Sequence, residues 1–114
     1  VDEEPVILEL IKEKLAKDGH NVDNATNGKT ALKLIKERQY DLLISDVKMP
    51  DMSGIELLSK VKKADPELAK RVIMATGDSV GEDIVKKGIG YLPKPFTVDK
   101  LKKAVAKALG KKKS

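Results

Sequence analysis

Residues 44–54 read ISDVKMPDMSG. The run Leu42, Leu43, Ile44 leads directly to a carboxylate at Asp46, and Met49-Pro50 then turns the chain toward Ser53-Gly54-Ile55-Glu56, which has the form of a capping box. An uninterrupted aliphatic run is what a strand buried on both faces requires. Such a strand presents one ionisable group, rigidly, at its carboxyl end.

Working outward, Leu57, Leu58, Val61 and Ala64 continue a helix to Asp65-Pro66, where proline is expected to stop it. Arg71 to Ala75 (RVIMA) is a second apolar strand ending in Thr76-Gly77, and Tyr91-Leu92-Pro93 a third, followed by Lys94-Pro95-Phe96. On the other side, Pro5 opens an amphipathic helix carrying Val6, Ile7, Leu10, Ile11 and Leu15, with Gly19 just past its end. Asn21 to Ala25 can be only a weak strand, and Asn27-Gly28 leads into a helix with Ala31, Leu32, Leu34 and Ile35. A further helix is predicted over about Val80 to Lys87, closed by Gly88, and Thr97 caps a last one bearing Leu101, Ala104, Val105, Ala108 and Leu109.

Apolar strands alternating with helices predict an α/β domain whose parallel sheet is covered on both faces. Ligands in such sheets bind at the carboxyl ends of the strands. Those ends are Asp46, Thr76-Gly77 and Lys94, and the acids Asp2, Glu3 and Glu4 precede the first helix, where one further strand would end. Clustered carboxylates suit a hard cation such as Mg²⁺, and a cation, a lysine and a hydroxyl together can neutralise a phosphoryl group in transfer. A carboxylate can itself be the nucleophile and become an aspartyl phosphate, which makes Asp46 a candidate acceptor.

Composition narrows the alternatives. The chain has 114 residues, 40% of them hydrophobic and 36% charged, which fits one globular domain. No apolar run approaches the ~20 residues of a membrane helix, no signal-peptide pattern is present, and the lack of cysteine is compatible with the cytosol. The net charge of +5 is spread over the helices, only Lys111-Lys112-Lys113 forms a run, and the aromatics are Tyr40, Tyr91 and Phe96 alone. A solvated surface with a basic tail is therefore expected, not a nucleic-acid platform.

The ordered set VDEEP at 1–5, ISDVKMPDMSG at 44–54, ATG at 75–77 and YLPKPF at 91–96 resembles the receiver domain of a two-component response regulator over nearly the whole chain. The resemblance implies a flavodoxin-like, doubly wound, five-stranded parallel sheet in the order 2-1-3-4-5, with a receiver domain over 1–110 and a basic tail over 111–114. It implies that Asp46 accepts the phosphoryl group. By the same resemblance, Asp2 and Glu3 would be the acidic pair that binds Mg²⁺ directly or through water, and the backbone carbonyl of Lys48 would complete the metal shell. Thr76 would contact the phosphoryl group, Lys94 would pair with it from a cis Lys94-Pro95 turn, and Tyr91 would be the aromatic switch. The donor would be a histidine kinase or histidine phosphotransfer protein, the setting cytoplasmic, the output partner unknown, with homodimerisation on phosphorylation open.

Each residue also has a plainer reading: the acids as helix-start charges, Thr76-Gly77 as a turn, Tyr91 as a core ring, Lys94 as a solvated lysine. Convergence on one sheet edge favours the functional set. A haloacid-dehalogenase-like phosphatase also uses a nucleophilic aspartate, but expects a second aspartate where this chain has Lys48. A non-phosphorylated interaction module is opposed by Asp46, Thr76 and Lys94 occurring together. The domain is thus read as a phospho-acceptor that assists its own phosphorylation and dephosphorylation, not as a turnover enzyme. Two departures from the family stand out. The first strand is represented by Val1 alone, so the chain is expected to start late, and the interval from Thr76 to Lys94 is about one helical turn short.

Overall fold

The computed structural model describes residues 1–77 and 89–110. Helix α1 (Pro5–Lys17) starts on its proline, carries Lys14 and Lys17 in its last turn, and is followed by Gly19 at φ 89°, a left-handed conformation that glycine adopts without strain. Helix α2 (Gly28–Glu37) is capped by Asn27, whose side chain accepts the Thr30 N–H. Strand β1 (Leu43–Ser45) leads to α3 (Gly54–Ala64), where Ser53 accepts the Glu56 N–H as the capping box predicts. Pro66 stops α3 but also opens a short α4 (Pro66–Ala69), with Asp65 capping Leu68. Then come β2 (Val72–Thr76), β3 (Gly90–Pro93) and α5 (Val98–Leu109), capped by Thr97. The helix expected over 80–87 and the basic tail lie outside the described residues.

The described strands form one parallel sheet in the order β1-β2-β3, with Ile44 opposite Ile73 and Met74 opposite Tyr91. They correspond to the last three of the five expected. The weak strand expected at 21–25 does not form among the described residues. In its place Val1 bridges the gap: its amine donates to the Ile44 carbonyl, its carbonyl accepts the Asp46 N–H at 2.9 Å, and Asp2 N–H reaches the Ala25 carbonyl at 3.1 Å. Val1 thus sits beside β1 in the ladder position expected of a first strand. A single contact at Ala25 is too little to hold 21–25 in a continuous ladder, and a cavity of about 510 Å³ lies between that segment and β1.

Strand β2 is buried throughout and shows why both faces are covered. Val72 and Met74 point into a core with Ala31, Ile35, Leu57 and Val61, whereas Ile73 and Ala75 meet Ile11, Leu92, Leu101 and Val105. Alternation along one strand therefore feeds two cores, α2, α3 and α4 on one side and α1 and α5 on the other. In α1 the apolar stripe falls on Leu8, Ile11 and Leu15, and Val6 stays 74% exposed. Buried Arg71 donates from Nε to the Asp41 carbonyl at 2.6 Å, tying the entry of β2 to that of β1.

Candidate functional site

The three strands end together, and their last residues bring charge to one edge. Lys94, just past β3, has its N–H bonded to the Thr76 carbonyl at 2.9 Å, which extends the β2–β3 ladder by one step. The Lys94-Pro95 bond is cis, as expected. Its ammonium lies 2.5 Å from Asp2 Oδ2 and 3.1 Å from Asp46 Oδ2, with Glu4 Oε1 at 3.9 Å. Side-chain exposures of 14% for Lys94, 4% for Asp2 and 13% for Asp46 place the pairing in a largely dehydrated setting, where it is electrostatically strong.

Burial alone would lower the Lys94 pKa, but hydrogen bonds from its ammonium to Asp2 and Asp46 more than offset that and hold it above its usual value.

Local chemistry holds each member. Asp2 Oδ1 accepts the Glu4 N–H at 2.9 Å, so the same carboxylate that meets Lys94 also shapes the entry to α1. Asp46 follows the fully buried Ser45, whose hydroxyl donates to the Asp46 carbonyl at 2.9 Å, and its Oδ1 accepts the Lys48 N–H at 3.3 Å. Gly54 is required here, since a Cβ would lie 2.3 Å from the Asp46 carbonyl oxygen. Thr76 is 1% exposed at the end of β2, and Tyr91 is half-buried against the core beneath α3.

The predicted set is thus brought together in part. Lys94 contacts both Asp2 and Asp46, Thr76 ends the adjoining β2, and Lys48 is joined to Asp46 through its backbone, whereas Tyr91 lies back from the edge, opposite Met74. Glu3 is exposed, and it is Glu4 that reaches toward Lys94. Three consecutive acids gave no sign of which would turn inward, because that depends on how Asp2 caps the turn. Ser45 and Asp51 were not singled out beforehand; the buried polar position directly before Asp46 could have flagged Ser45.

Among the described residues no group of three acidic or imidazole side chains converges as a ready cation cage. The donor set nevertheless fits Mg²⁺, which needs only one or two carboxylates, a carbonyl and waters. Lys94 Nζ, within hydrogen-bond distance of both Asp2 and Asp46, marks where a cation meets both oxygens.

The family described as the response regulator receiver domain matches residues 1–106. The chain belongs to that family. Sporulation initiation phosphotransferase F of Bacillus subtilis is 32% identical over 111 residues, covering 96% of this chain and 90% of that protein. A probable transcriptional regulator, ycf29 of Porphyra purpurea, is 38% identical over 105 residues, but these are 89% of this chain and 50% of the relative. Among solved structures, the response regulator TrrA of Thermotoga maritima, in complex with Mg²⁺ and BeF, is similar with a TM-score of 0.81 at 36% identity, covering 94% of this chain and 93% of that one. A receiver domain protein from Clostridium thermocellum gives 0.84 at 34% identity, covering 96% and 90%. The receiver domain therefore has the flavodoxin-like fold expected and is a phosphoryl-accepting signalling module of a two-component response regulator. No described helix is long and apolar enough to cross a membrane.

Proposed function

We propose that Asp46 is the residue that accepts the phosphoryl group, from a histidine kinase or histidine phosphotransfer protein, and that the acceptor step draws on Asp2, Lys48, Thr76 and Lys94. The observation that carries this reading is the Lys94 ammonium held between Asp2 and Asp46 at the common end of the strands. Asp46 Oδ would attack phosphorus, the bond to the donor's nitrogen or oxygen would break, and the donor would leave with that electron pair. Lys94, already oriented at 3.1 Å, can follow the negative charge from carboxylate to phosphoryl oxygen without reorganisation. The Thr76 side chain supplies a hydroxyl from the neighbouring strand. Asp2, Asp46 and the Lys48 carbonyl would hold Mg²⁺, with Glu3 acting through water; the ion when bound neutralises charge on the transferring oxygens.

Withdrawal of Thr76 toward the phosphoryl group would leave space for Tyr91 to move inward, so that charge at a strand end is read as repacking near β3 and α5. The chain acts on no external substrate in this reading; it assists its own phosphorylation and dephosphorylation, in the cytoplasm, with homodimerisation or an output partner downstream. The chain spans half or less of the length of several curated relatives that it matches.

Incubation with acetyl phosphate and Mg²⁺ tests the acceptor. Wild type should gain a hydroxylamine-labile phosphate and Asp46→Asn should gain none, because the amide keeps the shape and lacks the nucleophile. Equal labelling of the two proteins rejects Asp46.

A further inference from the structure

The segment 47–52, between Asp46 and the Ser53 cap, packs Val47, Met49 and Met52 against the core. The Val47 carbonyl accepts the Gly54 N–H at 2.7 Å, and the Lys48 N–H turns back to Asp46. A further polar anchor is Asp51. Its Oδ1 accepts the Gly28 N–H at 3.0 Å and its Oδ2 the Lys29 N–H at 2.9 Å.

Those are the first two amides of α2, which no helical carbonyl can satisfy. Asn27 covers the Thr30 N–H at 2.8 Å, so α2 carries a local cap and a second one contributed from 23 residues away. A carboxylate at the positive end of a helix is favourable, and the Gly28 amide, then that of Lys29, hold the Asp51 carboxyl below its ordinary value. The contact is close as well as polar. A Cβ on Gly28 would lie 2.5 Å from Met52 Cγ, so only glycine lets Met52 lie over the start of α2.

Asn27 takes only the Thr30 amide, and Asp51 takes those of Gly28 and Lys29. What the second cap adds is a fixed point on the acceptor segment, three positions beyond Lys48. Resting on the reading of the Asp46 site above, we infer that Asp51 is a positioning residue: by gripping two amides of α2 it holds the Lys48 carbonyl and Asp46 in the arrangement a bound cation requires. The carboxylate itself matters, because both oxygens are used; asparagine offers one acceptor and alanine none.

Mg²⁺ titrations followed by backbone amide NMR and by melting temperature, on wild type, Asp51→Ala, Asp51→Asn and Asn27→Ala, test this. Asp51→Ala should raise the Mg²⁺ midpoint about tenfold, as loss of a group that orients a metal ligand does, and Asp51→Asn less. Labelling of Asp51→Ala by acetyl phosphate should need correspondingly more Mg²⁺ than wild type to reach half its maximum. Asn27→Ala weakens the same helix end and should leave the midpoint unchanged. An unchanged midpoint in Asp51→Ala, or an equal rise in Asn27→Ala, overturns the inference while labelling at Asp46 still upholds the site. If wild type is labelled elsewhere than Asp46, both readings fall.

Discussion

Two kinds of ion pair occur in this receiver domain, and they differ in almost every physical respect but distance. Lys70–Glu67 at 3.3 Å and Lys102–Asp18 at 3.4 Å lie on the surface, with side-chain exposures of 67% and 69% in the first pair and 41% and 41% in the second. Lys94 meets Asp46 at 3.1 Å with 14% and 13% exposed. Water screens the former, so each contributes at most about 1 kcal/mol. At the strand ends water is largely excluded, and removing one partner leaves charge with little solvation. Between these extremes stands Tyr40, whose hydroxyl donates to Asp23 at 2.6 Å and whose pKa rises to about 12, through burial first and that bond second. Position in the fold, not charge type, decides which pairs matter.

The largest expected effect comes from Lys94→Met, which strands Asp2 beside Asp46. Denaturant unfolding at neutral pH should show a loss of about 3 kcal/mol. The raised Lys94 pKa means that this contribution is complete at neutral pH and is lost only as pH rises through a value above 10.5. A loss as small as that of a surface pair would erase the distinction.

The smallest effect is expected for Glu67→Gln, which should change the unfolding free energy by no more than about 0.5 kcal/mol and lose even that in high salt. A larger change would show that α4 depends on this pair in a way its exposure does not suggest.

Much of the architecture was legible in the pattern of residues. Caps at Ser53 and Thr97, the apolar runs at 43–45 and 72–76, and the glycine after α1 act within a few residues, so local sequence carries them. Asn21 to Ala25 was harder to read, because Val22 and Ala25 are its only apolar residues, and among the described residues it forms no strand. Pro66 was read as a stop; it also begins α4, because Leu68 finds a fully buried place under α3.

For the candidate site, residue types and order were enough to nominate Asp2, Asp46, Thr76 and Lys94, since a parallel sheet brings its strand ends to one edge, whereas Tyr91 was nominated only by the family resemblance. Sequence alone thereby determined the chemical inventory of the site and the side of the sheet it occupies. The tertiary structure decided which acid turns inward and what holds the acceptor segment: Asp2 is buried against Lys94 while Glu3 and Glu4 stay exposed, and Asp51 grips the start of α2 across 23 residues. The reason is distance along the chain. A cap or a hydrophobic period repeats over a turn or two, whereas a carboxylate that finds its amides only after a β-strand and two loops have folded leaves no local trace.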